Sequence, residues 1–532
     1  MTTTVKSIAP FRNDIQILRA IAVVFVLLYH AKIPLLNSRF LGVDVFFVIS
    51  GYLIGGIIIR ETELGRFSFR KFYSRRAWRL LPASYVVIFM VLIISPIFLS
   101  TAELSDLAWQ AIGALTFTSN IVLWQQAGYF GGEASLKPLL HTWSLAIEEQ
   151  FYLFLPIILA FTRDKVRILL VSIAALISIS LTVYLRESAS VSFFLLPTRA
   201  WELLFGVIVA DIVLRRGSIN IPRSIYALSF IAVLVLPFID LQGFHPGPQG
   251  AIVCLATAII LASKQRELPG VKSIGVLYIG AISYSLYLVH WPLFAFYNSI
   301  TFSSPWSNNI DALIRVSLIF LSFIAAALLH RFVEERFRHG AHLGIKVLLP
   351  AGAIISALVT FLFVPHIMHG GSVEARAASE SKVCETTGSF SMESACASGG
   401  NPRILVWGDS YAMHLVPGLA DGRSSLEVGI VHATRSACGP FIGFAQTKTE
   451  GGYNQRWAES CIIFNDSVLA ALSESESVEV VVISSPFSYL IDNPEGIFTR
   501  RSSGSELTLQ PASMDLAIQA ISNTIGHLEK LP

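Results

Sequence analysis

The chain has 532 residues, of which 53% are hydrophobic and 14% charged, against roughly 25% charged in a soluble globular protein, and its mean hydropathy is +0.62. That balance excludes an ordinary soluble enzyme and places much of the chain in lipid. The net charge of +3 is mild and its basic residues are divided among short loops, so no nucleic-acid partner is expected.

The N-terminal stretch MTTTVKSIAPFRND lacks the small-residue cleavage site of a signal peptide, and the first apolar helix is expected to serve as an uncleaved anchor. About eleven apolar segments follow that are long enough, or nearly so, for a bilayer core needing roughly 20 residues. They fall near 15–33, 40–60, 81–100, 142–162, 166–185, 200–214, 225–239, 249–263, 273–299, 311–330 and 345–367. Residues 107–124 read as an amphipathic segment at the membrane surface. Loops after even-numbered spans hold twenty Lys and Arg, and those after odd-numbered spans before the eleventh hold five. The positive-inside rule then predicts a cytoplasmic N-terminus and a C-terminal region beyond residue 368 on the outer side.

Cysteine usage agrees with that orientation. Cys254 lies in an apolar span, whereas Cys384, Cys396, Cys438 and Cys461 fall in the polar C-terminal part, an even number suited to two disulfides in an oxidising compartment. Three pairings are possible; proximity favours Cys384–Cys396 and Cys438–Cys461.

Polar residues inside the spans mark candidate chemistry. The stretch RAIAVVFVLLYH puts Arg19 and His30 eleven positions apart, which on a helix gives one shared face and about 16 Å of depth between a cation and a titratable base. Asp44 falls at the outer start of the second span. In HTWSLAIEEQFY, His141, Ser144 and Glu148 share a helical face at the outer start of the fourth span. Arg199, Glu202 and His290 lie at a similar level. Contact with headgroups accounts equally well for Arg199, Glu202 or His290 taken singly, whereas His30 and Asp44 are costly in lipid unless they face a polar interior. On the basic side, Arg75, Arg76 and Arg79 of RRAWR include a pair at i, i+3 that could clamp phosphates; the positive-inside bias alone also explains them.

Taken together, the Arg19-to-His30 element, FLGVDVFFVISGYLI, RRAWRLLPA, HTWSLAIEEQFYLFLP and SYSLYLVHWPL resemble, in this order over roughly residues 10 to 340, the acyltransferase-3 membrane enzymes that O-acylate bacterial surface glycans. The resemblance implies a cytoplasmic acyl-CoA donor, an acceptor glycan on the far side, essential roles for Arg19 and His30, a donor-side role for Arg75, Arg76 and Arg79, and Glu148 in the site. It implies no permanently bound cofactor; acetyl-CoA is the expected donor substrate, and no metal ligand set is expected. In physical terms, a pantetheine arm is long enough for Arg19 to hold the donor while His30 meets the thioester, the neutral imidazole taking a proton from a sugar hydroxyl or accepting the acyl group itself. Either Asp44 or Glu148 would orient the ring; His141, Ser144, Arg199, Glu202 and His290 are expected to support the site or the acceptor.

Beyond a polar stretch at 369–400, RILVWGDSYAMHL reads as strand, turn and helix, and LEVGIVHATRSACG and VEVVVISSP supply two more strands of an α/β pattern, with the strands parallel. GDS between a buried strand and a helix resembles the nucleophile block of SGNH hydrolase-like domains, which implies Ser410 as nucleophile, Asp409 as its motif neighbour and Gly439 as an oxyanion contributor. The Asp-x-x-His element of such domains is not found after Ser410, and a serine without a base is a weak nucleophile. Two explanations stand: truncation, which the abrupt stop at GHLEKLP favours, or a degenerate domain that only binds or positions the glycan.

The expected architecture is therefore a polytopic α-helical membrane bundle of about 10–11 transmembrane helices over 1–340, a further span and linker over 341–400, and an incomplete extracytoplasmic α/β SGNH-like domain over 401–532. The expected activity is O-acylation, foremost O-acetylation, of a cell-surface or lipid-linked glycan such as lipopolysaccharide O-antigen, peptidoglycan or exopolysaccharide, in the bacterial inner membrane. A polytopic transporter or flippase is the rival from another class, and basic groups at the donor side together with an external hydrolase-like domain argue against it.

Overall fold

The computed structural model describes residues 12–32, 41–99, 101–127, 134–162, 164–186, 188–239, 245–265, 274–301, 308–338, 389–392, 397–398, 402–421, 429–435, 438–447, 455–485, 497–501, 507–511 and 513–531. The chain divides into two compact units, Met1–Met368 and His369–Pro532.

The first unit is built of helices, with one isolated bridge between Ile219 and Ser263 among its described residues. Its elements are α1 (Asn13–His30), α2 (Leu41–Glu63), α3 (Phe69–Phe98), α4 (Thr101–Thr116), α5 (Ser119–Gln125), α6 (Thr142–Phe161), α7 (Asp164–Tyr184), α8 (Ala189–Phe194), α9 (Leu196–Arg216), α10 (Arg223–Val235), α11 (Pro248–Ala262), α12 (Ile274–Ala281), α13 (Ser283–Thr301), α14 (Asn308–Leu329) and, after a π turn at His330–Glu334, α15 (Glu335–Arg338). Among the described residues, seven helical stretches are long and apolar enough to cross a membrane, the α12–α13 pair makes an eighth, and the apolar helices at 223–238 and 248–262 are shorter. These ten correspond to the first ten expected spans of a multi-pass membrane protein; the eleventh, at 345–367, lies outside the described residues.

Two segments differ from the sequence reading. The expected ninth span is bent by 71° between α12 and α13; hydropathy reports apolarity and not straightness, so the break carries no signal in composition. The expected amphipathic stretch 107–124 is two helices. Phe117 takes a left-handed backbone (φ 56°), an uncommon state for a bulky residue, and its carbonyl accepts a hydrogen bond from Gln150 Nε2 at 2.8 Å, which pins the turn to α6.

The core is built on the contact of α2 with α9. A Cβ on Gly51 would lie 1.8 Å from the carbonyl oxygen of Leu203, and one on Gly206 would lie 2.1 Å from that of Val48. The two backbones touch because neither helix carries a side chain there, the small-residue packing that apolar surroundings favour where no hydrophobic force drives helices together. Gly51→Val is expected to destabilise the protein by on the order of 1–3 kcal/mol through overpacking. A thermal melt in detergent that matches wild type would contradict this seam.

Buried charges reinforce the packing. Asp44 on α2 accepts from Arg199 Nη2 on α9 at 2.7 Å, and Arg199 Nε lies 3.2 Å from Glu202 Oε1. At the basic ends of the spans, Arg167 is almost wholly buried and reaches Glu63 and Asp211, each at 2.8 Å. Its place in a basic loop fits the positive-inside rule, but its side chain is a tie between α7, α2 and α9.

The second unit has a four-stranded sheet in the order β1 (Ala397–Ser398), β3 (Gly429–Thr434), β2 (Pro402–Gly408), β5 (Val480–Ser484) and a three-stranded antiparallel sheet of β4 (Phe444–Thr447), β6 (Ile497–Arg501) and β7 (Leu507–Pro511). The three strands read from sequence are the parallel ones, β2 between β3 and β5. The others were missed: β1 and β4 are only two and four residues long, β6 ends in two arginines and shows no clean alternation, and β7 ends in proline. The described residues of this unit also form helices Ser410–Asp421, Gln455–Ser473 and Met514–Leu528. Cys438 and Cys461 form a disulfide, one of the two expected pairs; Cys384 and Cys396 lie outside the described residues.

Candidate active site

A cavity of about 210 Å³ opens among α1, α2, α3, α6 and α13. At one end are three guanidinium groups, Arg19 of α1 and Arg76 and Arg79 of α3. Arg76 is occupied: it pairs with Glu149 at 3.0 Å and lies 3.9 Å above the ring of Tyr152. Arg19 and Arg79 have no carboxylate within ion-pair distance among the described residues. Arg75 does not line the cavity; it pairs with Glu61 at 2.8 Å on the surface. The α3 helix rotates by roughly 100° per residue, so neighbours in RRAWR separate into one surface ion pair and two groups turned inward.

The rest of the cavity has apolar walls, among them Phe46, Ile49, Leu53 and Ile54, and two carboxylates, Glu148 and the Arg76 partner Glu149. Glu148 Oε2 accepts from Ser50 at 3.1 Å and from Tyr152 at 3.0 Å. The far end is closed by Ser144 and Tyr287. Their hydroxyl oxygens are 2.6 Å apart, and Tyr287 also donates to the backbone carbonyl of His141 at 2.9 Å.

Behind that closure stand three histidines. The ring of Tyr287 is 5.7 Å from that of His141 and 5.6 Å from that of His290. The rings of His141 and His290 are 6.0 Å apart. His30, the last residue of α1, places Nδ1 2.9 Å from Nε2 of His290. The two rings are nearly parallel, with centroids 5.1 Å apart and planes 17° apart, and Trp291 packs 4.3 Å from His30. Thus Arg19 and Glu148 line the cavity, whereas His30 lies one layer beyond its closed end.

Neither candidate carboxylate is the hydrogen-bond partner that the structure gives His30. Asp44 is taken up by Arg199, with His245 Nε2 3.5 Å from the same oxygen, and Glu148 by Ser50 and Tyr152. Arg199 and Glu202 belong to the Asp44 cluster, fully buried with it, and Arg199 is surrounded by the rings of Phe47, Trp143 and Phe193. His141, Ser144 and His290 do converge beside His30. Sequence reading missed Ser50, Glu149, Tyr152, Tyr284 and Tyr287, all on the cavity wall. Tyr152 was legible as the i+4 neighbour of Glu148; the others meet the site only through tertiary packing.

Profile comparison settles the family. The acyltransferase-domain model matches residues 12–331. The chain belongs to the acyltransferase-3 family. A model of the SGNH domain found fused to acyltransferase-3 domains matches residues 383–531. The acyltransferase-3 chain is 32% identical over 346 residues to the O-acetyltransferase OatA of Staphylococcus aureus strain NCTC 8325, covering 60% of this chain and 56% of the relative. OatA of strain MRSA252 gives the same figures. A protein of strain COL named provisionally as an O-acetyltransferase is 32% identical over 385 residues, covering 66% of this chain and 61% of its own length. The chain thus spans about three-fifths of the length of these relatives. No solved structure matches.

In the SGNH-matched unit, Ser410 is the first residue of the helix that follows β2. A Cβ on Gly408 would lie 1.9 Å from the carbonyl oxygen of Ser484 on β5, so the turn of the GDS block needs glycine for close strand approach. Asp409 accepts from the backbone of Tyr411 at 2.9 Å and from Ser485 at 2.7 Å, which ties the turn to the end of β5. Arg435 N–H donates to Gly408 at 3.0 Å, so the segment leaving β3 starts beside the same turn. Gly439, buried in that segment next to Cys438, accepts from Asn465 at 2.8 Å through its carbonyl.

Proposed function

We propose that the protein is a membrane O-acyltransferase that takes an acyl group, foremost acetyl, from cytoplasmic acyl-CoA and transfers it to a hydroxyl of a cell-envelope glycan on the outer side of the bacterial inner membrane, where the SGNH-matched region lies. One observation carries this reading: a single cavity lined by two guanidiniums, Arg19 and Arg79, that make no ion pair among the described residues, and by Tyr287, whose hydroxyl meets Ser144 and whose ring adjoins His141 and His290. Arg19 and Arg79 supply charge for an anionic donor, the apolar walls accommodate its arm, and His30 supplies the base. For the thioester to meet His30, the Tyr287 hydroxyl must leave Ser144 and the carbonyl of His141. The O-acetyltransferase relatives support the choice of acetyl; the glycan is named only by class.

Inside-out vesicles given radiolabelled acetyl-CoA test the reading, with label followed into extractable glycan. Wild type is expected to transfer label, and right-side-out vesicles given the same donor externally are not. Arg79→Ala is expected to raise KM for acetyl-CoA about tenfold or more, the loss of a charge-assisted contact. Transfer that proceeds equally from both sides would overturn the assigned polarity, and an unchanged KM in Arg79→Ala would remove the donor role of that end of the cavity.

A further inference from the structure

We infer that His290 is a positioning residue that fixes the tautomer of His30, taking the place a carboxylate holds in a serine-type triad. The inference deepens the O-acyltransferase reading and rests on it.

The hydrogen bonds determine the direction. His290 Nδ1 lies 3.1 Å from the backbone carbonyl of Leu286, one turn earlier on α13. A carbonyl only accepts, so Nδ1 of His290 carries the proton. In a neutral imidazole the other nitrogen is then the acceptor. That nitrogen, Nε2, is 2.9 Å from His30 Nδ1, so His30 Nδ1 carries a proton and donates it. The lone pair of His30 is left on Nε2. A helix carbonyl, a buried histidine and the terminal residue of α1 therefore form a chain of two hydrogen bonds that selects one tautomer.

The neighbours hold the chain in place. His290 is fully buried, its ring bounded by those of Tyr287 and His141, and Trp291 donates to the backbone carbonyl of Lys137 at 2.7 Å while packing on His30. During transfer, His30 Nε2 takes the proton of the acceptor hydroxyl as its oxygen bonds the acyl carbon. The carbon–sulfur bond then breaks, and the imidazolium returns the proton to the departing thiolate, so that a glycan ester and free CoA thiol result. While His30 is cationic, its Nδ1 proton remains bonded to His290 Nε2, which stabilises the developing charge without taking the proton.

Two substitutions separate positioning from packing. His290→Gln preserves an acceptor facing His30 and a donor for Leu286; His290→Ala removes both. Expected for His290→Ala is a fall in kcat of about 10²-fold or more, with KM for acetyl-CoA within about twofold of wild type, because the lost group orients the base and does not touch the donor. His290→Gln is expected to retain kcat within about tenfold of wild type. If His290→Ala does not yield folded protein by size exclusion in detergent, the ring-sized His290→Phe replaces it. Wild-type kcat in the variant lacking an acceptor overturns the inference, as does a folded His290→Gln no faster than that variant. Absence of glycan labelling by wild type itself would strike the O-acyltransferase reading, an outcome distinct from either of these.

Discussion

His30→Ala is expected to abolish glycan acylation, with kcat falling on the order of 10³-fold or more, while the protein still folds and still takes up acetyl-CoA at its basic end. The magnitude follows from removing the base that accepts the hydroxyl proton, or the nitrogen that carries the acyl group. Retained donor uptake follows from geometry: the cavity lining runs from Arg19 and Arg79 to Ser144 and Tyr287 and does not include His30. Equilibrium binding of labelled acetyl-CoA to purified protein, measured beside turnover, separates the two effects. Undiminished turnover in His30→Ala would mean that another group deprotonates the acceptor, and His141 and His290 would be the next to replace.

The second large effect is on stability. Arg199→Met is expected to destabilise the fold by about 3–5 kcal/mol, the range for removing one partner of a buried ion pair. Asp44, Arg199 and Glu202 are all at 0% exposure, and Arg199 is 2.7 Å from one carboxylate and 3.2 Å from the other. Without the guanidinium, two fully buried carboxylates lose their shared partner. The triple substitution Asp44→Asn, Arg199→Met and Glu202→Gln removes the charges together and is expected to recover stability to within about 1–2 kcal/mol of wild type. Thermal unfolding in detergent and the yield of folded protein from membranes report both. A melt of Arg199→Met that coincides with wild type would show that this buried ion pair does not hold the fold together.

Much of the membrane architecture was legible because long apolar runs and sorted basic residues are local signals. Arg19 and His30 could be assigned one helical face and two depths from eleven intervening steps. What stayed hidden was partnership. The partner of His30 is 260 positions away, and that of Asp44 is 155 positions away, so no spacing rule could choose between Asp44 and Glu148 as the orienting group. Arg167 shows the complementary failure. A residue already explained by charge sorting gave no reason to look for the two carboxylates it binds. In the second unit, β2 and β5 carry continuous apolar runs, Ile404–Trp407 and Val480–Ile483, whereas Phe444–Thr447 is only four residues long and Leu507–Pro511 alternates apolar with polar residues and ends in proline.

The backbone contact at Gly51 and Gly206 also bears on motion. Where a peptide carbonyl of each helix rests against the bare α-carbon of the other, sliding by even a fraction of a turn drives side chains into main chain, so α2 and α9 travel together as a single strut. That strut bears Ser50 on one of its members and the Asp44–Arg199 bond across both. Any breathing that widens the cavity must therefore come from the other helices that line it, α1, α3, α6 and α13, with the strut as the fixed wall against which they swing.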